Sequence, residues 1–340
     1  MVLLLGAALL FGSGGHAWAQ QSVFKEAKKK YQFAEYQSAT QLFRKVADDE
    51  GAPVQLRRDA LRYLSRSYIA QDQKQKARAA IKRFVGTNPP SDAMNPDVEP
   101  PAVMDLYYQV RKERSGGYAV EAQQGLQTLA VMDFNNNSIA NREQYEGLRK
   151  GLSSLMINSL TGGIDLQVIE RERIDWLLKE LKLQKQADKV DQSTAVKTGQ
   201  LLGANAVVFG SFIATENQMS ITARVVKVET GEVLFGDQVR GKPDAFFRLI
   251  QDLSEKVTQS INVEMSEMDR GSSQTKSLDA MMAYSDGLTL LEKGNYGAAQ
   301  RKFQQALDHD QDFTKARQKM RSLRPMLAST SPSDDDASSR

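Results

Sequence analysis

Over the first part of the chain, apolar residues return at steps of three and four. From Val23 to about Phe84, Tyr36, Ala39, Phe43 and Val46 form one stripe, Leu61, Leu64 and Tyr68 a second, and Ala77, Ile81 and Phe84 a third, the spacing of amphipathic helices. Ala77 and Ile81 stand 38 positions after Ala39 and Phe43, which is a repeat period. The pattern recurs near the other end. There Ala283, Gly287 and Leu290 precede a Gly294-Asn295 break, and Tyr296, Ala299, Phe303 and Ala306 superpose without a gap on Tyr36, Ala39, Phe43 and Val46.

The segment between these helical regions has a different rhythm. Thr87 to Pro101 contains Asn88-Pro89-Pro90, Asn95-Pro96 and Pro100-Pro101, which interrupt helix and predict an extended connector. A helix over about Val103–Arg114 then leads to Ser115-Gly116-Gly117, a flexible joint. Leu129 to Phe134 is an apolar run of strand length ended by the turn cluster Asn135-Asn136-Asn137. A helix carrying Leu148, Leu152, Leu155 and Leu160 is stopped by Gly162-Gly163, and Leu166 to Ile169 predicts a second strand. Two helices follow, with Ile174, Leu177, Leu178 and Leu181 on the first, while the second runs from Ser193 to Leu202 and is capped by Gly203. Ala206 to Phe212 reads as a third strand, Met219–Val228 and Glu232–Val239 as a hairpin about Thr230-Gly231, and Phe246, Leu249, Ile250, Leu253 and Val257 as a last amphipathic helix running towards Met268. The order β-α-β-α-α-β-β-β-α predicts an α/β sandwich with a hairpin added to a mixed sheet.

The two helical regions resemble the tetratricopeptide repeat. The resemblance implies that Tyr36, Ala39 and Phe43, and likewise Tyr296, Ala299 and Phe303, pack one helix of a pair on the other, the small alanine allowing close approach and the phenylalanine filling the groove. One such hairpin cannot bury both its faces, so each array needs the central domain, another chain or a bound segment to cover it.

The central residues resemble the CsgG family, whose best-known member forms the curli-secretion pore. The matching pieces are Leu129-Ala130-Val131-Met132-Asp133-Phe134, Val168-Ile169-Glu170-Arg171 with Leu177-Leu178-Lys179-Glu180, Leu202-Gly203-Ala204-Asn205-Ala206 with Gly210-Ser211, and Arg224-Val225-Val226-Lys227-Val228 with Thr230-Gly231-Glu232. The resemblance implies a three-layer α/β (α+β) domain over about residues 120–270, between the helical regions at 20–115 and 275–326; the tail at 327–340, rich in Ser and Asp and without an apolar stripe, is expected to be disordered. It also implies a partner-binding role in the envelope, as in secretion, envelope assembly or peptidoglycan-synthase activation, and it leaves a homo-oligomer open. The pore-forming member inserts long hairpins into the membrane after the third strand. Here only Ala214 to Gln218 lies between strands, whereas a membrane strand needs about 9 to 11 residues, so a soluble relative of the pore is expected.

Composition narrows the setting. The apolar run from Val2 to Phe11 is too short to span a bilayer and is followed by Ala17-Trp18-Ala19, so a signal peptide over residues 1–19, cleaved before Gln20, is expected. With no cysteine in the sequence there is neither a disulfide framework nor a lipidated cysteine, so a soluble periplasmic protein is expected, with any contact to the outer membrane peripheral. The formal charge of +3 over 340 residues supplies no basic field for nucleic acid. The expected partners are envelope or outer-membrane proteins.

Little of the sequence points to catalysis. With no cysteine, and with His16 and His309 the only histidines, thiol and histidine chemistry and a Cys/His zinc site are disfavoured. No phosphate-binding glycine motif follows a strand, and no cofactor is expected. The one charged corner is Glu170-Arg171-Glu172-Arg173 after the second strand, with Asp133 after the first. Asp133, Glu170 and Arg171 could bind an anionic small molecule such as a nucleotide or sugar phosphate at the sheet edge. Alternatively they pair with neighbours or with a second copy.

Overall fold

The computed structural model describes residues 12–87, 93–120, 127–161, 166–183, 190–261 and 274–330. Two compact units emerge, one made from the described parts of Met1–Asn95, Glu99–Arg111 and Ser322–Arg340, the other from Pro96–Val98 and Lys112–Arg321.

The first unit begins with four helices, α1 (Gly12–Gln32), α2 (Tyr36–Asp48), α3 (Val54–Ala70) and α4 (Lys74–Gly86), each packed on the next. Their stripes meet in a core of Phe24, Phe43, Val46, Leu61, Ile81 and Phe84. Residues 262–273 and the Asn88-Pro89-Pro90 part of the connector lie outside the described residues. Residues 91 and 92 lie outside them too; from Ala93 to Pro100 the connector is non-helical yet packed, with Met94 and Glu99 buried. Glu99 takes Arg66 through two hydrogen bonds of 2.7 and 2.6 Å and Arg62 through one of 3.1 Å, a fork geometry that suits a buried carboxylate. α5 (Pro101–Ser115) sets Tyr107 against Phe84 at 6.4 Å between ring centroids.

Three turns share one backbone conformation. Before α2, α4 and α12 (Tyr296–His309) stand Ala34, Asp72 and Gly294, with φ of 60°, 53° and 75°. The next residue in each case, Glu35, Gln73 and Asn295, donates its N–H to a carbonyl five residues back, at 3.0, 2.8 and 2.9 Å. This is the left-handed closure that ends a helix, placed at matching positions ahead of each second helix.

The second unit contains the sheet, ordered β3-β1-β4-β5-β6. β1 (Gln127–Val131) lies parallel to β3 (Leu166–Val168) and to β4 (Ala206–Ala214), while β5 (Met219–Lys227) and β6 (Val233–Gly241) add antiparallel. The Asn135-Asn136 part of the expected polar turn is a short strand, β2, parallel to β4. Each asparagine amide holds a neighbouring loop. Asn135 exchanges two hydrogen bonds with the backbone of Val190, at 2.7 and 2.9 Å, and Asn136 Oδ1 accepts from the Ser138 N–H at 3.0 Å.

Between the strands stand α6 (Arg142–Tyr145), α7 (Leu148–Leu160), α8 (Arg171–Glu180) and α9 (Gln192–Leu202), and after β6 comes α10 (Phe246–Ser260). One face of β5, carrying Met219, Ile221, Ala223 and Val225, is buried, and α10 packs on β5 and β6. The alternation follows from the period of two along a strand. The opposite face is covered where α9 meets β4, with Gly199 so close to Val207 and Val228 that a Cβ would stand 2.5 and 2.7 Å from them.

After the sheet come α11 (Leu278–Glu292), α12 and α13 (Thr314–Ser322), and α14 (Arg324–Thr330) follows in the first unit. Residues 327–330, expected in a disordered tail, are helical. The α11–α12 pair is close: a Cβ on Gly287 would meet the Phe303 ring at 2.5 Å. Ala39, Phe43, Ala299 and Phe303 are completely buried, Tyr36 and Tyr296 half-buried.

Candidate functional site

The second unit's buried charges gather at the C-terminal end of β1. Asp133 follows that strand and meets two residues of α7, Lys150 Nζ at 2.8 Å and Ser153 Oγ at 3.0 Å. Spaced at i and i+3, Lys150 and Ser153 share one helix face. On α8, Arg171 and Asp175 form an i,i+4 pair at 2.5 Å. Glu292, the last residue of α11, joins both groups, with Oε1 2.6 Å from Lys150 Nζ and 2.9 Å from Arg171 Nη1. Asp175 Oδ1 lies 4.0 Å from Lys150 Nζ.

Three carboxyl groups therefore face two cations. Burial pushes Asp133 up, but Lys150 and Arg171 hold it down at about 2. Glu292 is also lowered, since Lys150 and Arg171, and a hydrogen bond from Asp175, outweigh its burial. Asp175 goes the other way: burial raises it beyond what Arg171 and Lys150 pull back, and the Glu292 and Asp133 carboxylates add to the rise. The charge imbalance accounts for this split, because two cations offset the burial of two carboxyl groups more readily than of three. Lys150 is raised because its three carboxylate neighbours overcome the cost of burial.

A second group adjoins the first through Glu172. Its Oε1 lies 3.5 Å from Arg171 Nη2 and 2.6 Å from Nζ of Lys319 on α13, and Lys319 also reaches the Pro96 carbonyl at 2.9 Å and Asp97 at 3.4 Å. Lys319 has a side chain only 3% exposed.

Of the residues singled out in the sequence, Asp133 and Arg171 meet in one cluster. Glu170 precedes α8, and its carbonyl accepts the N–H of Arg173 at 3.0 Å. With a side chain 5% exposed, the Arg171 guanidinium is held by Asp175, Glu292 and Glu172. Sequence reading missed Lys150, Asp175 and Glu292. The i,i+4 spacing of Arg171 and Asp175 was a local signal for one of them; nothing local marks Glu292, which lies 121 residues from Arg171.

Apolar packing fixes the same helix. α11 crosses α7 at two glycines one turn apart. A Cβ on Gly147 would meet Asp286 Oδ1 at 2.7 Å and the Met282 carbonyl oxygen at 3.2 Å; one on Gly151 would meet Ser285 Oγ at 2.5 Å and Met281 Sδ at 2.7 Å. The C-terminal helical pair is thus docked on the α/β body by close backbone approach and by the ion cluster together. Among the described residues, no group of three or more His, Cys, Asp or Glu is placed to hold a metal ion, and no helix is long and apolar enough to cross a membrane.

Residues 114–222 match the family described as curli production assembly/transport component CsgG. The matched stretch runs from the end of α5 into the first half of β5 and includes Asp133, Lys150, Arg171 and Asp175, while Glu292 lies beyond it. Among solved structures, the C-terminal domain of LpoB from Salmonella enterica is 18% identical, with 41% of this chain and 95% of that one covered at a TM-score of 0.28. Lipoprotein GNA1162 from Neisseria meningitidis is 17% identical over 40% of this chain and 98% of its own, at a TM-score of 0.29. TolB from Acinetobacter baumannii is 14% identical over 42% of this chain and 28% of its own, at a TM-score of 0.26. No curated protein matches the chain.

Proposed function

We propose that this protein is a non-catalytic scaffold of the bacterial cell envelope, acting in the periplasm, in which helical repeats dock partner proteins and the CsgG-like body anchors them to an assembly or transport machine. The observation that carries the reading is the match of residues 114–222 to a family described as an assembly and transport component. The site's construction supports it. Asp133 and Arg171 spend their charged ends on internal pairs that hold α11, an arrangement suited to fixing a helical module and poorly suited to receiving a small anion. Export is proposed from the Val2–Phe11 apolar run and Ala17-Trp18-Ala19.

The test is capture from the envelope of the source bacterium with the full tagged chain, after crosslinking, compared with a Phe303→Asp variant that should disrupt the C-terminal pair. Envelope proteins recovered by the wild type and lost from the variant are expected. Recovery of none, or equal recovery by both, would overturn the scaffold role of that pair. Mass spectrometry of the exported chain should give an N-terminus at Gln20, and an intact N-terminus would remove the periplasmic assignment as stated.

A further inference from the structure

α1 runs unbroken through the expected cleavage point between Ala19 and Gln20. Ala19, Gln21 and Ser22 are exposed. The first residue that the helical unit holds fast is Phe24, 7% exposed and edge-on to Phe43 and Tyr63 at 5.6 and 5.8 Å between ring centroids. Removal of residues 1–19 therefore leaves Gln20 as the free first residue of a helix whose anchoring starts one turn later.

The surroundings of that terminus favour one reaction. The carboxamide oxygen of Gln20 accepts no hydrogen bond, so no such contact holds the group away from the new α-amine. Gln21, Ser22 and Val23 bring no negative charge, and the first acidic residue of the helix past the cleavage point is Glu26. The positive end of the helix then faces a terminal ammonium with nothing beside it to offset the repulsion. That repulsion favours the neutral amine, the form that can act as a nucleophile. The amine and the carboxamide belong to the same residue and close a five-membered ring, so the encounter carries the advantage of an intramolecular reaction.

We propose that Gln20 cyclises to pyroglutamate once the leader is removed, giving the mature chain a neutral, blocked terminus. The α-amine nitrogen bonds to Cδ of the side chain, the bond from Cδ to the amide nitrogen breaks, and that nitrogen leaves as ammonia, carrying the proton the amine gives up. No oxidant, reductant or second substrate takes part. The lactam removes the ammonium that opposes the helix's positive end, and it takes away the free amine at which aminopeptidases begin. This rests on the export reading, which supplies the free α-amine.

The test uses the full chain exported with its own leader, denatured in acid on recovery and digested with trypsin, after which the N-terminal peptide Gln20–Lys25 is weighed. A mass lower by one ammonia is expected, in a fraction above that which a synthetic Gln20–Lys25 peptide reaches in the same work-up. A chain that starts at Gln20 with no ammonia lost beyond that fraction overturns the cyclisation and leaves export standing; a chain that retains Ala19 overturns both. Added aminopeptidase gives a second measurement on the folded protein. The wild type should keep its full length while a Gln20→Ala chain loses residues towards Phe24, and equal trimming of the two would overturn the blocked terminus.

Discussion

Arg171 Nη1 lies 2.9 Å from Glu292 Oε1, joining the first turn of α8 to the last residue of α11 across 121 positions of sequence. Lys150 shares the same Glu292 oxygen at 2.6 Å, so one carboxylate takes two cations and ties α7, α8 and α11 together. The C-terminal helical pair is held to the α/β body at this point.

Replacing Arg171 by alanine would leave Asp175, Glu172 and Glu292 without their shared cation. Removing one partner of a buried ion group costs about 3 kcal/mol or more, and the Arg171→Ala chain should lose stability on that scale in urea unfolding. A loss under about 1 kcal/mol would place the cluster with surface ion pairs.

Acid should loosen the same cluster. The Asp133 carboxyl is lowered from 3.8 to about 2, so its contribution is complete above 3.8 and is lost as pH falls through 2, an effect of about 2 kcal/mol. Asp175, raised in the fold, has the opposite sign: its contribution is complete below its unfolded value and declines as pH rises through its folded one. An Asp133→Asn variant should show a flatter stability profile between pH 4 and 2 than wild type, and an unchanged slope would sink the assignment.

The helix crossing gives a steric test. Gly151→Val must displace Ser285 and Met281, and overpacking of this kind costs about 1–3 kcal/mol. Gly117→Ala, with no atom within 4 Å of the added Cβ, serves as a neutral control. Limited proteolysis should release the α11–α12 pair from the Gly151 variant well before the control.

The repeated turns predict a stabilising change. Ala34 holds φ at 60°, a left-handed conformation that costs a residue with a Cβ about 1 kcal/mol and glycine almost nothing. Ala34→Gly should raise stability by up to about 1 kcal/mol, whereas glycine at the helical Ala39, where Ala is already favoured, should lower it. Thermal unfolding of the two variants checks the sign of each.

The sequence by itself determined the elements. Apolar runs of strand length placed the strands from Leu129, Leu166 and Ala206, and stripes of three and four placed the helices, because these patterns reflect which sides of a local backbone meet the core. It also determined the 38-residue echo between Ala39 and Ala77, and that Asp133 and Arg171 stand at strand ends near the carboxyl edge of the sheet. Tertiary structure alone decided that Glu292 completes their cluster, that Gly147 and Gly151 receive α11, and that α14 returns to α3. A charge pair 121 residues apart has no period or spacing to reveal it, and the surface on which the short α14 packs lies more than 250 residues before it in the chain.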